Sequence, residues 1–358
     1  MEKGRNIILK LGSRTIECGY EGYFTPLEVF NVYHFAEKQN FICDNKPFDE
    51  INQYQNKDIS CFNYLFNPNI SIYNDLDLFK SNLDNHLIKV FTKIFYKCGI
   101  STMNAKLILL HKSLFPDIYL NVITKLLIER FRMRAVVLLP SALMSTISSG
   151  SDSSIVIDIG WSYTCIEVVS DNRLLANYTQ VTDRAGCMLH YAILRQLKDL
   201  GFDISDISFR DVEKMVSSIN SLDMNPSDEL ICGNYSIKAE IIIETIQKVL
   251  INKQTNLSDD INELQISELV STLIEKTLPV DIRQEVSSKI IINSGLTKIK
   301  GFEKLLYQEI EKQMKKKIQL VCIDSIGEWS GACIYSSFMK GLRKNSNLLE
   351  IREIKNKN

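Results

Sequence analysis

The chain has 358 residues, 45% of them hydrophobic and 24% charged, which is enough apolar material for a sizeable core in one large bilobal domain or in two to three ordinary ones. Its 42 Lys and Arg against 43 Asp and Glu leave a formal charge of -1, so no basic excess points to nucleic acid and no acidic tail to a basic partner. The nine cysteines are odd in number and form no C-x-x-C pair, which predicts reduced, buried thiols in the cytosol or nucleus; with no apolar run of 18 residues, neither secretion nor membrane insertion is expected.

In chain order, Ile7, Ile8, Leu9 and Leu11 precede Gly12-Ser13-Arg14, and Ile16, Cys18 and Tyr20 follow, which predicts two strands joined by a tight turn. Residues 37–80 are rich in Asn, Asp and Gln, with scattered aromatics and Pro47 and Pro68 breaking any period, and read as a weakly ordered surface insertion. Asp84 is the expected N-cap of a helix with Leu87, Ile88, Phe91, Ile94 and Phe95 on one face and Gly99 just past its end. A strand at 106–110, a helix at 117–130, a strand at 135–139 and a short helix at 142–148 then give the β-α-β-α order of an α/β sheet, broken at Gly150-Ser151-Asp152-Ser153.

A second hairpin follows, with strands at 155–159 and 164–169 around a Gly160-Trp161-Ser162 turn and a further turn at Asp171-Asn172. Two strand-Gly-strand starts in one chain suggest an internal duplication. Residues 183–276 read as mainly helical, interrupted near Asn225-Pro226 and at 252–260. A helix at 302–315 and a strand at 319–323 are expected next. In EWSGACIYSSF at 328–338, the small residues Ser330, Gly331 and Ala332 predict a helix start packed closely against a neighbour, and beyond Lys340 the polar chain is expected to fray.

In a hairpin whose turn contains Gly, backbone N–H groups can converge on a phosphate oxygen, and two such hairpins can clamp a nucleotide. Four histidines, His34, His86, His111 and His190, show no metal spacing and accompany no nucleophile motif. The run EKQMKKK at 311–317 closes a predicted helix, where cations suit the dipole, and reads as a solvated helix end.

Taken together, the segments carry a family resemblance. NIILKLGSRTIECGYEGYFTP at 6–26 is similar to the first phosphate loop of actins and IVIDIGWSYTCIEVV at 155–169 to the second. VDIRQEVSSKIIINSGLTKIKGF at 280–302 resembles the segment leading into the adenosine loop, and WSGACIYSSF at 329–338 the closing Trp-Gly helix. The resemblance to the actin-related protein family spans nearly the whole chain except 37–80 and much of 200–260. It implies a bilobal α/β actin-like fold of two duplicated, ribonuclease H-like domains around a nucleotide cleft, with a divergent subdomain 2 at 37–80. The first lobe would be 1–140 plus 327–358, and the second 141–326 with a helical subdomain 4 at about 185–260.

Carried over residue by residue, the resemblance places Gly12 and Ser13 at the terminal phosphates and Asp158, Gly160, Ser162 and Thr164 along the second loop. Asp158 would hold Mg through water, Gly186 would lie near the nucleoside, and Ser294, Gly295 and Leu296 would replace the family's Gly-Gly-Thr adenosine loop. ATP or ADP is thereby implied as a structural ligand, or else an empty cleft. The departures are concentrated on chemistry. Where actins place an acidic residue before the first loop stands Lys10, and where their lysine reaches the phosphates stands Glu17; on facing strands the two are expected to pair, or one of them to point to solvent. In the second loop Ile159, Trp161 and Ser162 replace Ser, an acidic residue and Gly, and the Trp161 ring is expected to crowd the phosphate path. Ser141 and Cys165 occupy the places of the amide and imidazole that position the attacking water. With these groups lost together, no catalytic residue and no useful hydrolysis are expected.

Within the family, the short chain, the lost catalytic set and the stretch EKTLPVDIRQEVSSKIIINSG are most similar to the fungal actin-related protein at the pointed end of dynactin. That similarity implies a cytoplasmic, cytoskeletal, hetero-oligomeric subunit joining dynactin's main actin-related filament subunit to the pointed-end subunits. The alternatives are an actin-related subunit of a nuclear chromatin-remodelling complex and a sugar-kinase-like or chaperone-like ATPase.

Overall fold

The structure is a computed structural model and describes residues 6–35, 40–44, 59–60, 66, 76–204, 207–251, 264–314, 320–345 and 353–355. In chain order the elements are β1 (Ile7–Leu11), β2 (Thr15–Tyr20), β3 (Glu28–Phe35), β4 (Asn40–Asp44), β5 (Ile59–Ser60), α1 (Leu76–Lys97), β6 (Lys106–His111), α2 (Asp117–Glu129), β7 (Ala135–Pro140) and α3 (Ser141–Ser148). They continue with β8 (Ser154–Ile159), β9 (Thr164–Ser170), β10 (Arg173–Leu174), β11 (Gln180–Thr182), α4 (Gly186–Asp199), α5 (Phe209–Ser217), β12 (Glu229–Cys232), β13 (Tyr235–Lys238) and α6 (Ala239–Leu250). Last come α7 (Ile266–Thr272), α8 (Val280–Ser287), β14 (Ile290–Ser294), α9 (Phe302–Gln313), α10 (Glu328–Asn345) and β15 (Glu353–Lys355). Among the described residues no helix is long and apolar enough to cross a membrane.

Ile59 apart, which groups with the second unit, the described residues divide into two units at Asp152/Ser153 and again at Asp324/Ser325. The first therefore includes α3, which the 140/141 boundary expected from the sequence gave to the second lobe. The reason lies in packing: α3 lies along α10, and a Cβ on Gly331 would come within 1.9 Å of the Met144 carbonyl oxygen. Only a glycine lets the two backbones approach that closely.

The first unit is built on a sheet ordered β15-β7-β6-β1-β2-β3-β4, with β5 paired to β3. β1 to β4 form an antiparallel meander, while β1, β6 and β7 run parallel. Ile7, Leu9, Leu107, Leu109 and Val136 bury one sheet face in a core with α1 and α2. Ile8, Ile108, Leu110, Val137 and Leu139 bury the other with Met144 of α3 and Trp329, Ala332 and Cys333 of α10. Burial on both faces is why these strands are continuously apolar instead of alternating.

In the second unit the sheet order is β10-β9-β8-β14, with β11 also on β9. β8 hairpins to β9 and runs parallel to β14, just as β1 hairpins to β2 and runs parallel to β6. The duplication suggested by the two hairpins is thus present in the topology.

Several local expectations need correction. The helix predicted from Asp84 already includes Leu76, because Leu83 and Phe79 extend the same apolar stripe one and two turns upstream of Leu87. Of the 37–80 insertion, β4 and β5 are strands, residues 76–80 belong to α1, and Phe66 is buried edge-on against Phe115 and Tyr119; the rest lies outside the described residues. The helical span at 185–260 also contains the β12-β13 hairpin, which alternates in and out around Gly233 at φ 59°. At the predicted strand over 319–323, the described residues make only a single bridge, Ile290 to Cys322. The tail expected to fray after Lys340 stays helical to Asn345 and returns as β15 along β7.

Candidate functional site

In an open α/β sheet the carboxyl ends of the parallel strands are where loops and helix starts converge on a ligand. In the first unit those ends are Lys10 on β1, Lys112 after β6 and Ser141 after β7. The β1-β2 turn closes through Gly12 N–H donating to the Thr15 carbonyl at 2.9 Å, and a Cβ on Gly12 would lie 2.8 Å from that same oxygen. Gly12 is therefore required by the turn itself, and Ser13 sits in the turn beside it.

Lys10 and Glu17 are cross-strand partners in register. The Lys10 Nζ donates to Glu17 Oε1 at 3.1 Å and stands 3.4 Å from Glu328 Oε1, the first residue of α10. Glu328 is buried, at 7% exposure. Burial pushes its carboxyl up, but the Lys10 and Lys112 ammonium groups and a hydrogen bond from Ser141 outweigh this and hold it below the usual glutamate range. The sequence reading found Lys10, Glu17 and Ser141; it missed Glu328 and Lys112. The available signal for Glu328 was a lone carboxylate opening an apolar segment, which names no partner.

In the second unit, Asp158 lies opposite Cys165 on β9 and Asn293 on β14, and Ile159 opposite Ser294. Asp158, Gly160, Ser294 and Gly295 are thus gathered at the carboxyl ends of β8 and β14. Asp158 is buried and, among the described residues, belongs to no cluster of three His, Cys, Asp or Glu ligand atoms. Cys165 is fully buried. Thr164 does not line the loop as predicted: it is fully buried and donates its hydroxyl to the Arg184 carbonyl at 2.6 Å.

The Gly160-Trp161-Ser162 turn is docked onto the start of α4. Gly186 N–H donates to the Gly160 carbonyl at 3.0 Å, and Cys187 N–H to the Trp161 carbonyl at 2.8 Å. These are orphan donors of a helix N-terminus, the groups an anion would otherwise use, and they are satisfied by the chain. The Trp161 ring turns into the helical layer, edge-on to Phe209 at 5.4 Å and to His190 at 6.0 Å, with Cε3 2.9 Å from where a Gly186 Cβ would stand. The ring that was expected to crowd a phosphate path thus packs against the aromatic side chains of α4 and α5.

The adenosine-loop stretch begins with Ser294 as a helix cap, its hydroxyl accepting from Leu296 N–H at 3.0 Å. A Cβ on Gly295 would meet no protein atom within 4 Å, so neither packing nor backbone demands a glycine there. Space beside Gly295 is therefore open to a ligand. The residues of the first hairpin do not fit a metal-bound triphosphate, since their ammonium is already shared by two carboxylates.

Two α/β units, each opening on a Gly-containing hairpin whose first strand is flanked in parallel by a later one, define a duplicated α/β fold. The family model Actin matches residues 1–230. Actin-like protein 7B of Rattus norvegicus and of Mus musculus are each 20% identical over 195 residues, covering 52% of this chain and 47% of theirs, so the chain matches about half the length of these curated relatives. The chain belongs to the actin family, with its bilobal α/β fold.

Proposed function

We propose that this actin-family protein is a non-catalytic subunit of dynactin. It caps the pointed end of the short actin-related filament and links it to the pointed-end subunits, supporting dynein-dependent transport and nuclear and spindle positioning in the cytoplasm. The observation that carries the non-catalytic part is Lys10 held between Glu17 and Glu328, a cation already neutralised where phosphate chemistry would need it free. The spent N-terminal amides of α4 support the same conclusion. The choice of assembly is supported by the similarity of EKTLPVDIRQEVSSKIIINSG to the dynactin subunit. A polymerising fold becomes a cap when one heterologous surface is kept and the other altered.

Affinity purification of a tagged chain tests the assembly: co-recovery of dynactin filament and pointed-end subunits is expected, and recovery with remodelling subunits alone overturns it. In the same preparation Mg-ATP turnover is expected at background. Turnover abolished by Asp158→Ala would establish an ATPase instead.

A further inference from the structure

We propose that the Lys10 ammonium is the resident cation of the first unit, an internal substitute for a divalent metal that pins the β1-β2 hairpin to the start of α10. Its Nζ lies 3.1 Å from Glu17 Oε1 and 3.4 Å from Glu328 Oε1, so one positive group is shared by two carboxylates from different elements. The group is only partly solvated, with side-chain exposures of 31% for Lys10, 20% for Glu17 and 7% for Glu328. A carboxylate buried as deeply as Glu328 persists in its charged form only with a cation held against it. Burial is overcome at Glu328, whose carboxyl is held low chiefly by Lys10.

The location matters as much as the distances. Lys10, Lys112 and Ser141 stand at the carboxyl ends of three adjacent parallel strands, the end of such a sheet that receives ligands. Lys10 is shared by Glu17 and Glu328, and the Lys112 ammonium also acts on Glu328. A divalent ion entering this cluster would meet an ammonium at close range, and a polyphosphate would meet carboxylates whose countercharge is spent. The strand-to-helix tie that a bound cation could make is supplied here by a covalently attached one. This role for Lys10 rests on the non-catalytic reading of the site and not on the choice of assembly.

Thermal unfolding of the purified full chain tests it with wild type, Lys10→Arg, Lys10→Met, Glu328→Gln and the double variant Lys10→Met/Glu328→Gln, each with EDTA, MgCl2 or CaCl2. Wild type and Lys10→Arg are expected to show one Tm in all three media. Lys10→Met should melt lower by on the order of 5 °C, and the double variant should recover part of the loss, because removing the stranded carboxylate relieves what removing the lysine caused. A wild-type Tm raised by Mg or Ca and lowered by EDTA overturns the proposal, as does a double variant no more stable than Lys10→Met. If Lys10→Met does not fold, the wild-type and Lys10→Arg series with metal and chelator decides alone. ATP turnover and co-purification of the same wild-type protein report separately on the proposed function.

Discussion

Glu21 shows at the scale of one residue how this chain keeps buried charge. At 5% exposure it accepts from the Asn6 N–H at 2.9 Å and the Asn6 Nδ2 at 2.8 Å, and also from Ser336 Oγ and Lys340 Nζ of α10. Burial pushes its carboxyl up, but the bonds from Lys340, Ser336 and Asn6 together hold it below 4.5. Glu328 is lowered in the same direction. A carboxyl depressed in the folded state stabilises fully above its unfolded pKa and loses that contribution as pH falls through the folded one. Stability is therefore expected to be flat near neutrality from these two groups and to drop as the pH goes below about 4.5, the ordinary glutamate value. Urea midpoints measured across that range check it: Glu21→Gln should be weaker at pH 7 by about 1–3 kcal/mol and lose less on acidification. His111, pushed down by burial, adds a loss of the same sign, because below 6.5 the unfolded chain takes up a proton at this ring more readily than the folded one. Glu303, pushed up by burial and by Asp324, works the opposite way and is relieved by acid. Among the charged contacts, the Lys10-Glu17 pairing was legible in the sequence, since hairpin register fixes cross-strand neighbours. Glu328, Ser336 and Lys340 come from the far end of the chain.

Between elements, glycine decides two contacts. Gly331→Ala would drive a methyl to 1.9 Å from the Met144 carbonyl, a backbone atom that cannot yield without separating α10 from α3. A loss of about 3 kcal/mol or more is expected, from overpacking and lost core contacts, readable as a lowered urea midpoint. Gly186→Ala would press instead on the Trp161 ring at 2.9 Å, a side chain that can move. About 1–2 kcal/mol is expected there, and the double variant Gly186→Ala/Trp161→Leu should cost less than the two single changes summed. An additive result would show that the ring does not rest on Gly186. The close helix start at Ser330-Gly331-Ala332 was legible because three small residues in a row mark a near neighbour. The direction of Trp161 was not, because a turn residue's side chain follows whichever cavity the rest of the unit provides. The β12-β13 hairpin escaped notice inside a helical stretch for a related reason, its four-residue strands being too short for periodicity to declare.

Across the whole molecule the prediction concerns nucleotide. A ligand present at a hundred times its Kd adds about 2.7 kcal/mol to the folded state, a rise in Tm of about 5–10 °C for a unit of this size. With Lys10 and the α4 amides already engaged, the expected shift with Mg-ATP or Mg-ADP is none; a rise of that size would show that Gly295 and its surroundings hold nucleotide as a structural ligand. By itself the sequence determined the two hairpins, the β-α-β-α alternation and the family, since local periodicity and glycine turns are short-range properties that survive 20% identity to relatives. It also named candidate site residues, among them Lys10, Glu17 and Trp161. Only the tertiary structure decided what these residues do: that Lys10 is shared with Glu328, that Trp161 packs against Phe209 and that the Thr164 hydroxyl donates to a backbone carbonyl. Charge pairing and burial depend on which distant segments meet at one strand end, and that is fixed by the packing of the whole unit.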